Sequence, residues 1–297
     1  MQIGGVIIRF YHNLNIKLSK ISWIDNIRLD IKAIRRANII KTLYFNFKMF
    51  PFKTAIKLPV WFYGKVKFDN LKGKIIFNCP VRKRLVNIGK YFDFYGHRYI
   101  SSINLMYGSV WEINGLFIAG EGIVMNIGGK LSTGRASVLG TGGKISCNRE
   151  IIIGNGTAVT GGCQVFDSNF HYIQNLETGE IKNMSQAIKL GSSCWIGNQC
   201  TISKGTVLPD FTIVCSNSLV NKDFSQYQGE NILIGGSPAK YISRGIRRIC
   251  DANDELKLHN YFKIHPNDES IYTEIPIYTK NQLENQKYEF YKRILNF

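Results

Sequence analysis

Residues 190–220 read LGSSCWIGNQCTISKGTVLPDFTIVCSNSLV, and every sixth position is a large aliphatic: Leu190, Ile196, Ile202, Leu208, Val214 and Val220. Four positions after the first five stand Cys194, Cys200, Thr206, Thr212 and Ser218, all of them small. A six-residue spacing drifts around a 3.6-residue helix, and a plain strand alternates every two residues, so neither explains the pattern. One inward aliphatic per short fixed unit is the signature of a solenoid, in which each rung buries its large residue against the rungs above and below. The stretch predicts a coiled parallel β structure.

Towards the N-terminus the same frame runs back through Val165, Val159 and Ile153. Between them and the opening stretch, His171 occupies the next aliphatic position, and a polar excursion follows from Tyr172 to Ala187 with a turn at Glu177-Thr178-Gly179-Glu180. A break in an otherwise regular pattern marks a candidate functional site, and a loop leaving the coil there supplies the wall of a cleft. From Val81 to Ile151 the repeat is ragged, with apolar runs such as Leu116-Phe117-Ile118 separated by glycine-rich corners. Gly140-Thr141-Gly142-Gly143-Lys144 lacks the spacing and the Ser/Thr of a phosphate-binding loop.

The 297-residue chain is 44% hydrophobic, enough for a substantial core, and carries a formal charge of +17. Residues 1–60 hold eleven Lys/Arg against two acids, Asp25 and Asp30, so over half of the excess sits in a fifth of the chain. Within them Leu14, Leu18, Ile21, Ile24, Ile27, Ile31 and Ile34 recur at steps of three and four, as in an amphipathic helix. A basic amphipathic helix either lies on an anionic membrane surface or, more commonly, packs on a neighbouring domain. Nucleic-acid recognition motifs are absent. Tyr44, Phe45, Phe47, Phe50, Phe52, Trp61, Phe62 and Tyr63 form an aromatic cluster expected to cap the first rung. No apolar run of eighteen residues and no secretory signal pattern appears, so a cytoplasmic protein is expected, with the basic region offering peripheral contact to the inner face of the membrane. Seven cysteines without metal-ligand spacing suggest neither disulfides nor a metal site. Cys163, Cys194 and Cys200 fall on small inward slots, where a thiol behaves as a compact hydrophobe.

Asp167-Ser168-Asn169-Phe170-His171, the excursion, Ile188-Lys189-Leu190-Gly191, Cys194-Trp195-Ile196-Gly197, Ser218-Leu219-Val220-Asn221-Lys222-Asp223 and Gly235-Gly236-Ser237-Pro238-Ala239-Lys240 occur in that order. Together they resemble the left-handed β-helix acyltransferases with hexapeptide repeats, most of all the O-acetyltransferases of capsular and lipopolysaccharide synthesis and the galactoside and maltose acetyltransferases. The resemblance spans residues 145–248. It implies a mainly β fold: a left-handed parallel β-helix over 81–240 with a loop at 172–187, an N-terminal helical and aromatic cap over 1–80, and a C-terminal helix and tail over 241–297, the helix from Tyr241 to Lys257.

The same resemblance implies transfer of an acetyl group from acetyl-CoA to a sugar hydroxyl, without a metal, in a homotrimer whose active site lies between subunits. His171 falls on the catalytic position as general base, a task suited to a side chain that titrates near neutrality. Asp167 is the nearest candidate to orient it, and equally a candidate corner cap, while Glu150 lies about one rung earlier. Backbone N–H groups near Gly191 or Gly197 are candidates for the oxyanion. For the donor the resemblance implies Asn198 and Ser216 along the pantetheine, with Asn221, Lys222, Lys240 and Arg244 towards the nucleotide, while Trp195 either flanks the thioester or the acceptor or packs at a subunit boundary. Two other functions fit the same coil: N-acetylation of a nucleotide-linked amino sugar, and glycan binding without catalysis.

Overall fold

A computed structural model describes residues 37–90, 99–249, 251–273, 275 and 279–295. The chain divides into two compact units, residues 36–248 and a second unit of residues 1–35 with 249–297. The amphipathic pattern of residues 14–34 lies outside the described residues.

Three parallel sheets make up the first unit. The first face runs from strand Val60–Phe62 to Leu233–Gly236, the second from Lys65–Leu71 to Leu219–Val220, and the third from Lys74–Phe77 to Val207–Leu208. Successive strands in the chain belong to successive faces, so each rung contributes one strand to each sheet. This is the architecture of a left-handed hexapeptide-repeat β-helix. The hexads map directly onto it. Val159, Ile196, Val214 and Ile234 stack on the first face, Val165, Ile202 and Val220 on the second, and Ile153, Leu190 and Leu208 on the third.

All six aliphatics and all five small residues of the opening stretch are at most 2% exposed. The small residues sit where the coil narrows at its corners, and they close it by local hydrogen bonds: Thr206 Oγ1 donates to Ser203 O, Thr212 Oγ1 to Pro209 O and Ser218 Oγ to Cys215 O, all at 2.7–2.8 Å. At one corner Gly134, Gly154 and Gly191 lie directly over one another, and a Cβ on Gly154 would stand 2.4 Å from the Gly191 carbonyl oxygen. Because each inward methyl meets its neighbours above and below, Ile202→Val is expected to lower the unfolding free energy by about 0.5–1.5 kcal/mol in a urea titration.

The coil begins earlier than the spacing predicts. Val60, Trp61 and Phe62 pair in register with Val86, Asn87 and Ile88, and Ile75 with Trp111, so residues 60–77 are a complete rung and belong to the coil instead of the cap. The period misses it because the long connection from Phe77 to Val86 resets the count. The cap proper is helix Ile39–Met49, started by Asn38, whose side chain accepts from Lys41 N at 3.1 Å. Its Phe45 packs 4.9 Å from Phe62 and 5.4 Å from Phe68, and the following Phe50 lies 5.1 Å from Phe77. One phenylalanine from each face thus meets the aromatics that plug the bore.

At the other end, the segment expected to begin a helix at Tyr241 is a strand. Ala239–Ser243 turns back antiparallel on Leu233–Gly236, giving the last strand of the first face a partner. Helices come later, in the second unit. Ala252–Ile264 is one, and Lys280–Leu295 is another, whose start is a capping box: Gln282 N donates to Thr279 Oγ1 and Thr279 N to Gln282 Oε1.

Candidate functional site

The excursion opens at the corner between the second and third faces of the rung that starts at Ala158–Val159. Strand Gln164–Phe166 ends the second face, and Ile188–Leu190 resumes the third. The chain leaves the coil at Ser168, four residues before the expected start. Ser168 bridges antiparallel to Ser185, Asn169 N donates to Met184 O at 2.9 Å, and Ile173–Gln174 pairs with Ile181–Lys182 as a small hairpin. Lys204, one rung on, holds this excursion through Nζ–H to Asn183 O at 2.8 Å.

His171 therefore does not point into the bore. It is exposed on the excursion, and Leu190 takes the inward position over Ile153 when the frame resumes. Phe170, immediately before it, adopts φ of 64°, a left-handed conformation that costs about 1–2 kcal/mol for a residue with a Cβ. Two contacts hold it there: Phe170 N–H donates to Ser168 Oγ at 3.0 Å, and its ring meets Phe166 edge-on at 5.9 Å. This turn carries His171 out of the frame, and it has no signal in the hexad period.

Of the two roles expected of Asp167, its hydrogen bonds are those of a corner cap. It is fully buried, and Oδ1 accepts from Asn148 N at 2.8 Å while Oδ2 accepts from Arg149 N and Glu150 N at 2.7 and 2.9 Å. Among the described residues no hydrogen bond joins it to His171. The carboxylate caps the corner one rung earlier, and its own carbonyl accepts from Gln186 N at 2.9 Å, so it fixes both the departure and the return of the excursion. Burial raises its pKa above 3.8, opposed by the three backbone N–H groups.

The same device recurs along the coil. Asn155 accepts from Arg135 N at 2.8 Å, Asp210 from Ser192 N at 2.6 Å, and Asn198 from Gly161 N at 3.1 Å. Asn198, a donor-binding candidate, is thus engaged by the scaffold through its side chain, and its N–H bonds Ser216 Oγ at 3.1 Å. The two oxyanion candidates are also occupied. Gly191 N donates to Leu208 O and Gly197 N to Val214 O, at 2.9 and 2.8 Å, both as rungs of the parallel ladders.

The remaining candidates lie in four places. Asn221 and Lys222 are exposed at the His171 corner, two rungs along the coil. Asn198 and Ser216 line the corner between the first and second faces. Trp195 stands on the outside of the first face, 37% exposed, with the Arg248 guanidinium 5.0 Å from its ring centroid. In a three-sided coil the first face is opposite the corner that carries His171. One chain therefore does not bring Trp195 and His171 to the same point. Lys240 is exposed on the terminal hairpin, and Arg244 is paired with Glu230 at 3.8 Å. Arg248 was not expected from sequence, since a contact over fifty residues away leaves no local pattern.

Cys163 and Cys200 stack at the inner corner of adjacent rungs and donate S–H to Gly197 O and Cys215 O at 3.0 and 3.1 Å. The neighbouring Cys200 sulfur and burial together hold the Cys163 thiol above its ordinary range. Cys147 is pushed up to about 12 by burial and the Asp167 charge. A buried thiol of this kind is no nucleophile, and Cys163→Ala is expected to leave turnover unchanged in a CoA-release assay. Among the described residues no group of three or more His, Cys, Asp or Glu is placed to hold a metal ion. No helix among them is long and apolar enough to cross a membrane.

No protein-family model matches the chain. Solved structures with similar coils include the polySia-specific acetyltransferase NeuO, at 19% identity over 71% of this chain and 85% of that one, with a TM-score of 0.49. The polysialic acid O-acetyltransferase OatWY matches at 19% identity over 67% and 95%, TM-score 0.35. AntD, an N-acyltransferase from Bacillus cereus in complex with dTDP and 3-hydroxybutyryl-CoA, matches at 13% identity over 74% and 98%, TM-score 0.38.

Proposed function

We propose that the protein is an acyltransferase that moves an acetyl group from acetyl-CoA to a hydroxyl of a sugar or glycan in cell-surface polysaccharide synthesis. The observation that carries this reading is the exposed His171, presented on a braced excursion from a rigid coil, with Asn221 and Lys222 exposed two rungs away at the same corner. A hydroxyl at neutral pH is a weak nucleophile, and an accessible imidazole is the group to take its proton. In the proposed reaction the sugar oxygen attacks the thioester carbonyl as His171 accepts the hydroxyl proton. The C–S bond then breaks, and the proton passes from His171 to the departing CoA thiolate. Lysine heads on mobile stems suit the phosphates of the donor, which is where Lys222 and Lys240 would serve.

The placement of Trp195 opposite His171 supports a homotrimer in which the donor surface of one copy faces the His171 corner of the next. Asp167 enters this scheme as the residue that positions the excursion. CoA release measured over free hydroxy sugars, amino sugars and nucleotide sugars, with wild type beside His171→Ala, tests the proposal. Turnover on hydroxy sugars that vanishes in the variant is the expected result. Turnover confined to nucleotide-linked amino sugars would make it an N-acetyltransferase, and glycan binding without CoA release in either protein would leave a non-catalytic coil.

A further inference from the structure

Helix Ile39–Met49 is inverted relative to an ordinary surface helix. Its buried side includes the polar residues Thr42 and Asn46 beside Phe45. They are turned inwards because the first strand of the coil has an open edge. Asn46 Nδ2 donates to Val60 O at 2.7 Å, Val60 N donates to Asn46 Oδ1 at 3.2 Å, and Phe62 N donates to Thr42 Oγ1 at 3.1 Å. Satisfying that edge leaves the helix's aliphatic and aromatic side chains on the outside. Ile40 is 80% exposed, Leu43 41% and Phe47 48%, and the next turn adds Phe52 at 73% and Ile56 at 54%. The Phe47 and Phe52 rings lie 6.1 Å apart, so the strip continues across Pro51.

Its rim carries one sign of charge. Lys48, Lys53 and Lys57 are exposed beside the strip, and Lys41 is half-buried over the Phe68 ring. No Asp or Glu occurs between Asp30 and Asp69. We propose that the outer face of residues 39–57 docks this end of the coil on an anionic membrane surface. The inference goes beyond acyl transfer and stands independently of it. Apolar side chains flanked by lysines alone match the boundary of a bilayer, where acyl chains accept the rings and anionic headgroups meet the ammonium groups at the same depth. Because the helix closes the end of the bore, docking on its outer face does not use the His171 corner, which lies four rungs along the coil.

The test is co-sedimentation of the full chain with vesicles of phosphatidylcholine alone or mixed with phosphatidylserine, at low and physiological salt. Binding to the phosphatidylserine vesicles, weakened by salt, is expected. Lys48→Gln with Lys53→Gln should weaken it about 25-fold, at about 5-fold for each lysine. Phe47→Ser with Phe52→Ser should weaken it by about 10-fold or more. Thermal melts check that each variant is folded, and CoA release with a soluble acceptor should be unchanged in both. The proposal is overturned if wild type ignores the anionic vesicles, or if folded variants bind them as wild type does, which would hand the contact to another segment. It is also overturned if the phenylalanine pair changes the mass in light scattering while vesicle binding stays intact, which would make the strip a contact between copies.

Discussion

His171→Ala is expected to lower CoA release on the acceptor by about 10²–10⁴-fold, the usual range for a general base, with little change in the affinity for acetyl-CoA. The side chain is exposed and outside the core, so the thermal midpoint should move little, as for a surface substitution of within about 0.5 kcal/mol. This combination separates catalysis from folding. A loss of turnover accompanied by unfolding would point to a structural imidazole instead. Wild-type turnover in the folded variant would remove His171 from the reaction.

Asp167→Ala is expected to have the largest effect on stability. It strips three corner N–H groups, those of Asn148, Arg149 and Glu150, of their acceptor in a site where the carboxylate is fully buried. The three bonds are part-buried, and a hydrogen bond to a charged group contributes about 1.5–3 kcal/mol, which gives a loss of about 3 kcal/mol or more. Asp167→Asn keeps one acceptor oxygen and should recover part of the loss. The sign of the pH dependence follows from the direction of the shift. The folded-state pKa is raised above 3.8, so the folded protein holds the proton more tightly than the unfolded chain. The contribution is fully present below the unfolded value and is lost as pH rises through the folded one. Urea titrations across that acidic window should show wild-type stability falling with rising pH relative to Asp167→Asn. Activity distinguishes the two roles of the residue: if Asp167 positions the excursion, the pH profile of the residual turnover keeps its shape in Asp167→Asn, whereas an orienting carboxylate would shift it.

Much of the coil was legible because burial in a β-helix obeys a strict count. A side chain six residues on is the inward residue of the next face, so Leu190 through Val220 specify the repeat without reference to any distant contact. The excursion was legible as a break in that count. Its consequence for His171 was misread, because the period assigns an inward position to residue 171 whether or not the chain is still in the frame. The actual exit depends on Phe170 entering the left-handed region and on Ser168 and Ser185 closing the neck. Asp167 was visible as a carboxylate near the histidine, yet its partners are N–H groups seventeen to nineteen residues earlier, brought beneath it only by the pitch of the coil.

What the sequence determined by itself is the scaffold and the location of its interruption. Local spacing suffices there, since each hexad chooses its inward face independently of what lies above it. What only the tertiary structure decided is which side of the coil each candidate occupies. Trp195, Asn198 and Ser216 belong to rungs close to His171 in number, but a turn of the coil distributes neighbours in sequence among three faces, so proximity along the chain says nothing about the side they share. The polar inner face of helix Ile39–Met49 is of the same kind: it exists because the open edge of the first strand needed partners, a requirement set by Val60 and Phe62 fourteen to twenty residues further on.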